Sequence, residues 1–425
     1  MIIARATTLS GRRLALVVAA LGVTQIIGYG TLYYAYGVLS DTIGADLGLS
    51  HGWMYGAFSA GLLACGLFAP WSGRASDRFG PDRVLVAGSF AAALSLAALA
   101  SASGPVGFAT ALIATQIASG FVLYETAFAA LVELAGPTAR RAITHLTLIA
   151  GFASTLFWPL TAKLAGAFDW RTVLFVYAAL NALVAAPLHL VIVGARRRAR
   201  VAETGPIVSS APAVATAPRP DPGPNAEAET RERRPLVLML VIVGFTLGGF
   251  TLTGLLAQLV PLLGSLGIAR EAAVSVGMIF GPAQVASRLI NMLGGNNLSP
   301  VTLGTLSSAM VVAGLAILIL GGGDPIALVA FAVLYGAGSG IVSIARGTVP
   351  LAVWGPFGYA SRLGVISSVR IVVSALAPFA VAAIADGIGA AAAIAVLIGL
   401  GALGVLAFVW LGRLVSERPI DRLAA

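Results

Sequence analysis

Charge is scarce in this sequence. Asp, Glu, Lys and Arg together make up 10% of its 425 residues, against about 25% in an average soluble domain. So few charges cannot cover the surface of a soluble protein of this length. A soluble enzyme, a nucleic-acid binder and a disordered chain are therefore excluded. Lys163 is the single lysine. Without a phosphate-cradling Gly-x-x-x-x-Gly-Lys run, ATP-driven transport within this chain is excluded too. Cys65 is the single cysteine, which leaves no disulfide framework, thiolate metal site or redox pair. His51, His145 and His189 are far apart and no acid cluster accompanies them, so no enzyme constellation, cofactor or metal is expected.

Apolar and small residues fill the space that charge leaves. Hydrophobic residues are 58% of the chain, mean hydropathy is +0.95, and there are 51 glycines. A membrane-crossing helix needs about 20 mostly apolar residues. Twelve such runs occur, at 14–38, 52–72, 84–102, 105–131, 143–165, 172–194, 235–262, 272–292, 301–321, 325–346, 363–385 and 390–412. They are too long and too continuous for barrel strands. The first follows Arg12 and Arg13 but exceeds the 7–15 residues of a signal-peptide core, so it reads as a helix.

Arginine placement orients the chain. With the N-terminus inside, 21 basic residues fall on inner segments, among them Arg5, Arg219, Arg418 and Arg422. Only Lys163, Arg171 and Arg270 fall outside, and Arg288 and Arg370 lie within spans. This asymmetry predicts a multi-pass protein of a bacterial inner membrane with both termini cytoplasmic. Residues 195–234 are rich in Arg, Pro, Ala and Glu and contain no span. They predict a poorly ordered cytoplasmic linker between two six-helix bundles, 1–194 and 235–425.

The loop between spans 2 and 3 reads Gly73-Arg74-Ala75-Ser76-Asp77-Arg78-Phe79-Gly80-Pro81-Asp82-Arg83. Its Gly, Asp-Arg, Gly and basic residue resemble in spacing and position the signature of the major facilitator superfamily. The resemblance implies an all-α membrane fold of twelve helices and alternating access. It also implies a cytoplasmic gate of Gly73, Asp77, Arg78, Gly80 and Arg83, with Asp77 at the positive N-terminus of span 11. The matching second-half loop, 293–300, carries no charge. Tyr124-Glu125, Arg140-Arg141-Ala142, Gly151, Pro159 and Asp169-Trp170-Arg171 further resemble the monocarboxylate-porter and oxalate/formate-antiporter branch. In span 8 that branch's arginine is Arg288, while its acid is replaced by Gln284.

Charges inside spans cost at least about 2.5–3.5 kcal/mol on insertion scales and mark function by default. Arg288 shares a helical stripe with Gly281, Gln284 and Asn291; Arg370 shares one with Ser367, Ser374 and Pro378. Two guanidiniums suit an anionic substrate, although Arg288 is close enough to its span end to snorkel. Glu125 is either a proton carrier or a structural partner of an arginine, and helical spacing puts it about 180° from Gln116. His145 is a candidate proton relay, and Arg346 a membrane anchor or gate residue. Gln25, Tyr29, Tyr33 and Tyr36 form a stripe that suits a cavity wall. The expected function is secondary transport of a small organic anion, proton-coupled or by exchange, by a monomer among membrane lipids. The alternative is an exporter of hydrophobic or toxic compounds.

Overall fold

The computed structural model describes residues 8–203, 224–295 and 297–416. Arg5, Arg219, Arg418 and Arg422 of the basic count, and linker positions 204–223, lie outside the described residues. The first half comprises α1 (Gly11–Tyr29), a π turn (Gly30–Tyr34), α2 (Ala35–Leu47), α3 (His51–Phe79), α4 (Pro81–Ala100), α5 (Pro105–Val122) and α6 (Tyr124–Ala135). It continues with α7 (Ala139–Ala150), α8 (Ala153–Ala167), α9 (Trp170–Leu180), a second π turn (Asn181–Ala185) and α10 (Ala186–Glu203). The second half is α11 (Pro224–Ser265), α12 (Arg270–Leu293), α13 (Pro300–Gly321), α14 (Pro325–Trp354), α15 (Tyr359–Ile388) and α16 (Ala390–Ser416).

Eleven stretches among the described residues are long and apolar enough to cross a membrane. One of them, Pro105–Ala167, is 63 residues long. At about 1.5 Å per residue it would be roughly twice the thickness of a bilayer. It contains two crossings, because the chain turns at Gly136–Thr138, where Gly136 takes φ +51°. The total is therefore twelve crossings, six before the linker and six after. Both ends of the linker are helical, since α10 runs on to Glu203 and α11 starts at Pro224.

The halves meet across α3 and α15, where small residues let backbones touch. A Cβ on Gly73 would lie 2.3 Å from the Ala360 carbonyl oxygen, and one on Gly364 would lie 2.6 Å from that of Ala69. In lipid, close packing of this kind replaces hydrophobicity as the force between helices. Gly61 and Gly66 also face close neighbours, whereas Gly52 and Gly56 face open space. The close glycine contacts of span 2 thus run from its middle to its arginine-rich end. There, Gly80 adopts φ +93°, conformational space open to glycine, and lets α4 start at Pro81 immediately after α3 ends.

Candidate functional site

Four crossings of the first half are irregular in mid-span, the sixth through its π turn at Asn181–Ala185. Helix α5 stops at Val122, because Leu123 is extended (φ −83°, ψ −163°), and α6 begins afresh at Tyr124. Helix α7 ends at Ala150 and α8 starts at Ala153. Span 1 takes a π turn at Gly30–Tyr34. Each irregularity releases backbone carbonyls that lipid cannot satisfy. Side chains take them up. Gln25 Nε2 donates to the Val122 oxygen (2.7 Å), and Ser72 Oγ to the Gly120 oxygen (2.8 Å). Gln116 Nε2 donates to the Leu32 oxygen in the π turn (3.0 Å). Span 1 thus braces the break in span 4, and span 4 braces the bulge in span 1. The two π turns are tied as well, Asn181 Nδ2 donating to Thr31 Oγ1 at 2.9 Å.

The breaks place charge. Glu125 lies in the first turn of α6, where unpaired N–H groups favour a carboxylate. Its Oε1 accepts from Arg370 Nη2 at 3.1 Å and from Ser367 Oγ at 3.0 Å, both on α15. Arg346, on α14, also lies within electrostatic range of Glu125. Arg288 is buried. Its Nη1 donates to the Thr147 oxygen at 2.9 Å and its Nε to the Gly340 oxygen at 3.1 Å. Thr147 is in the last turn of α7, so this guanidinium sits at the negative end of a half-helix. A Cβ on Gly151, just past that end, would lie 2.4 Å from Arg288 Nη1. Arg288 is therefore bonded across the two halves and does not snorkel.

Several donors in this region are left over. Arg370 Nε, Arg346 Nε and Ser374 Oγ are buried without a hydrogen-bond partner. Glu125 supplies one negative charge close to Arg346 and Arg370, so the pair of guanidiniums exceeds it by one. Buried polar groups in folded proteins are normally satisfied, which makes these donors open positions for an acceptor.

Other residues singled out from the sequence fall elsewhere once the helices are bent, because regular helical spacing does not hold through either irregular segment. Gln25 and Gln116 are buried braces, and the half-turn between Gln116 and Glu125 has no meaning across the break at Leu123. Tyr36 lies beyond the π turn from Tyr29; it is buried, stacks on Phe58 at 4.6 Å, a ring that Tyr33 also meets at 5.7 Å, and donates to the Met54 oxygen. Tyr29 and Tyr33 stay at the cluster, joined by Tyr34 and Tyr124. Gln284 is half-buried one turn from Arg288 on α12. His145 is exposed on α7 and is not brought to Glu125.

At the arginine-rich end Asp77 accepts from the backbone N–H groups of Ala360 (3.3 Å) and Ser361 (2.9 Å) at the N-terminus of α15. Gly73 lies against the same residues. Arg78 and Arg83 are exposed, and among the described residues neither has a carboxylate partner; Arg78 lies over the Phe79 ring. The ion pairs at this end are made by Arg196 of α10, which bridges Asp82 and Glu133. No pattern in the sequence pointed to that cluster, because Arg196 lies in a basic run that looks like a plain topology signal. Arg140 donates to the Leu298 carbonyl, so the uncharged second-half loop takes part through its backbone.

Replacing Asp77 by Asn removes the charge from the α15 terminus and keeps an acceptor. At an exposed helix end this weakens the clasp about two- to fivefold. The check is thiol labelling of a cysteine placed at Ile143, which packs on Gly347 across the halves, in a chain with Cys65 replaced by Ser. Faster labelling in the Asp77→Asn variant is expected; an unchanged rate would remove the clasp role.

A Major Facilitator Superfamily family model matches residues 18–345. No curated protein matches the sequence at a significant level. Among solved structures, the proton:xylose symporter XylE bound to 6-bromo-6-deoxy-D-glucose is 13% identical with a TM-score of 0.68, covering 95% of this chain and 96% of its own. FucP in the outward conformation is 13% identical with a TM-score of 0.66, covering 94% and 99%. The human organic anion transporter MFSD10 is 17% identical with a TM-score of 0.61, covering 93% and 97%. At such identities the likeness is one of fold. With twelve apolar crossings and a family match over more than half of its length, this chain belongs to the Major Facilitator Superfamily of membrane transporters.

Proposed function

We propose that this protein is a secondary active transporter of a small organic anion, working by alternating access between two six-helix bundles, 1–194 and 235–425. The observation that carries this reading is the charge imbalance at the interface between halves. Arg346 and Arg370 face one carboxylate, Glu125, and both guanidiniums keep an unpartnered buried Nε. A carboxylate entering there would meet one surplus positive charge and ready donors, a bidentate fit for guanidinium. Glu125 is the proposed proton carrier, because its protonation releases Arg370 to the substrate. Gln284 and Ser374 are proposed to line the same site beside the two arginines.

The arginine-rich end is proposed to be cytoplasmic, with both termini on that side and the membrane a bacterial inner one. On that orientation the inner gate is shut in this conformation, clasped by Asp77, Arg140 and Arg288. Uptake into proteoliposomes tests the reading. Carboxylates are expected to accumulate under an inward proton gradient, and their neutral amides are not. The tyrosines beside the cluster favour a second reading, an exporter of hydrophobic compounds. Accumulation of amides equal to that of the acids would make the exporter the better reading.

A further inference from the structure

Four tyrosines of the first half lie within electrostatic range of guanidiniums of the second. Tyr33 is within electrostatic range of Arg370, Tyr34 of Arg288, Tyr29 of Arg346, and Tyr124 of both Arg288 and Arg346. Their rings form a continuous surface. Tyr124 lies 4.9 Å from Tyr29, Tyr29 6.3 Å from Tyr34, Tyr34 5.5 Å from Tyr33, and Trp158 6.4 Å from Tyr34. The π turn is what assembles it. In an unbroken α-helix Tyr34 would point about 140° away from Tyr29. A π turn bonds residue i to i+5 and brings these two onto one face.

Tyr124 is buried and stacks on Phe128 at 5.0 Å, and Tyr33 lies 5.7 Å from Phe58; what packing leaves open is the hydroxyls. Four other buried tyrosines each have a hydroxyl partner: Tyr36 with the Met54 oxygen, Tyr335 with that of Leu252, Tyr359 with that of Gly347, and Tyr177 with Thr161. Tyr29, Tyr33 and Tyr124 have no hydrogen-bonded hydroxyl among the described residues. Tyr33 is 39% exposed and Trp158 57% exposed.

We infer that the transported anion carries an aromatic ring, its carboxylate reaching Arg370 and Arg346 while the ring lies against Tyr29, Tyr33 and Tyr34. This rests on the anion reading above and narrows it to aromatic carboxylates. Ring edges and faces, with the hydroxyls of Tyr29 and Tyr33 unbonded, suit a second ring through offset or edge-to-face contacts. A saturated chain would be served as well by Leu or Val, without hydroxyls to keep solvated.

Binding of four probes to the purified full chain, measured by calorimetry, tests this: benzoate, cyclohexanecarboxylate, benzamide and acetate. Benzoate is expected to bind about tenfold more tightly than cyclohexanecarboxylate, and benzamide and acetate more weakly still. The Tyr34→Phe variant should keep the ring preference, and Tyr34→Leu should bring the ratio close to one. Tyr33→Leu, at an exposed position, serves where Tyr34→Leu does not fold. Equal binding of benzoate and cyclohexanecarboxylate, or a ratio unchanged in the Leu variants, overturns the inference. Acetate binding without benzoate binding overturns it and leaves the anion reading standing. Benzamide binding as tightly as benzoate sinks the anion reading and keeps the ring. Binding of none of the four overturns both.

Discussion

The Glu125→Gln variant is expected to lose proton-driven accumulation and to keep counterflow exchange. In the wild type, ionised Glu125 holds Arg370 at 3.1 Å and would compete with an incoming carboxylate for that guanidinium. Protonation removes the competitor, so proton and anion bind with positive, reciprocal coupling. A charge-assisted hydrogen bond is worth about 1.5–3 kcal/mol, or roughly 10- to 150-fold in affinity. Anion affinity of the wild type should therefore rise as pH falls, at pH values where the probe itself stays ionised. Gln mimics the protonated state, so its affinity should be high and flat with pH. The groups facing Glu125 are Arg370, Arg346, Ser367, Tyr29, Tyr124, Tyr359 and Cys65. All of these that titrate do so above neutrality in their ordinary ranges, so Glu125, the one acid-range group, supplies the rise as pH falls. A variant that still accumulates substrate under an imposed proton gradient rules out Glu125 as the carrier.

The Arg370→Ala variant is expected to abolish anion binding and also to destabilise the fold. Removing one partner of a buried ion pair leaves the other uncompensated, at about 3–5 kcal/mol. Adding Glu125→Gln to Arg370→Ala removes that stranded charge. The double variant should recover most of the thermal stability and none of the binding. Arg370→Lys should keep the pair with Glu125 and still weaken binding, because an ammonium cannot reproduce the bidentate fork. Thermal unfolding and probe binding, measured on all variants, separate the two roles. If the double variant binds benzoate as the wild type does, Arg370 holds the helices together and nothing more.

How the charged groups pair was legible only in part. The spacing of Asp77 from Gly73 and Gly80, with the family resemblance, led to the N-terminus of span 11, and Asp77 lies there. A buried Arg370 with no acid on its own stripe required a partner on another helix, with Glu125 among the candidates. Two steps were not legible. Helical spacing from Gln116 to Glu125 assumed an unbroken span 4, and spacing from Tyr29 to Tyr36 an unbroken span 1. Arg196 was hidden in a basic run, where nothing in one sequence separates a side chain that bridges Asp82 and Glu133 from one that only marks the membrane side.

The sequence by itself determined the membrane class, the twelve crossings and the concentration of arginine at one end. Those properties are sums over local residues, and hydropathy adds along a chain whatever the helices do next. Tertiary structure alone decided where the helices break and which charges meet. Leu123 can be extended because Gln25, 97 residues away in sequence, satisfies the Val122 carbonyl. The π turn at Leu32 is held by Gln116, 84 residues away. Glu125 and Arg370, 245 residues apart, meet because α6 starts where α5 stops. In lipid a freed carbonyl or a lone charge must find its partner inside the protein. That partner is set by which helices touch, and no local pattern in the sequence records it.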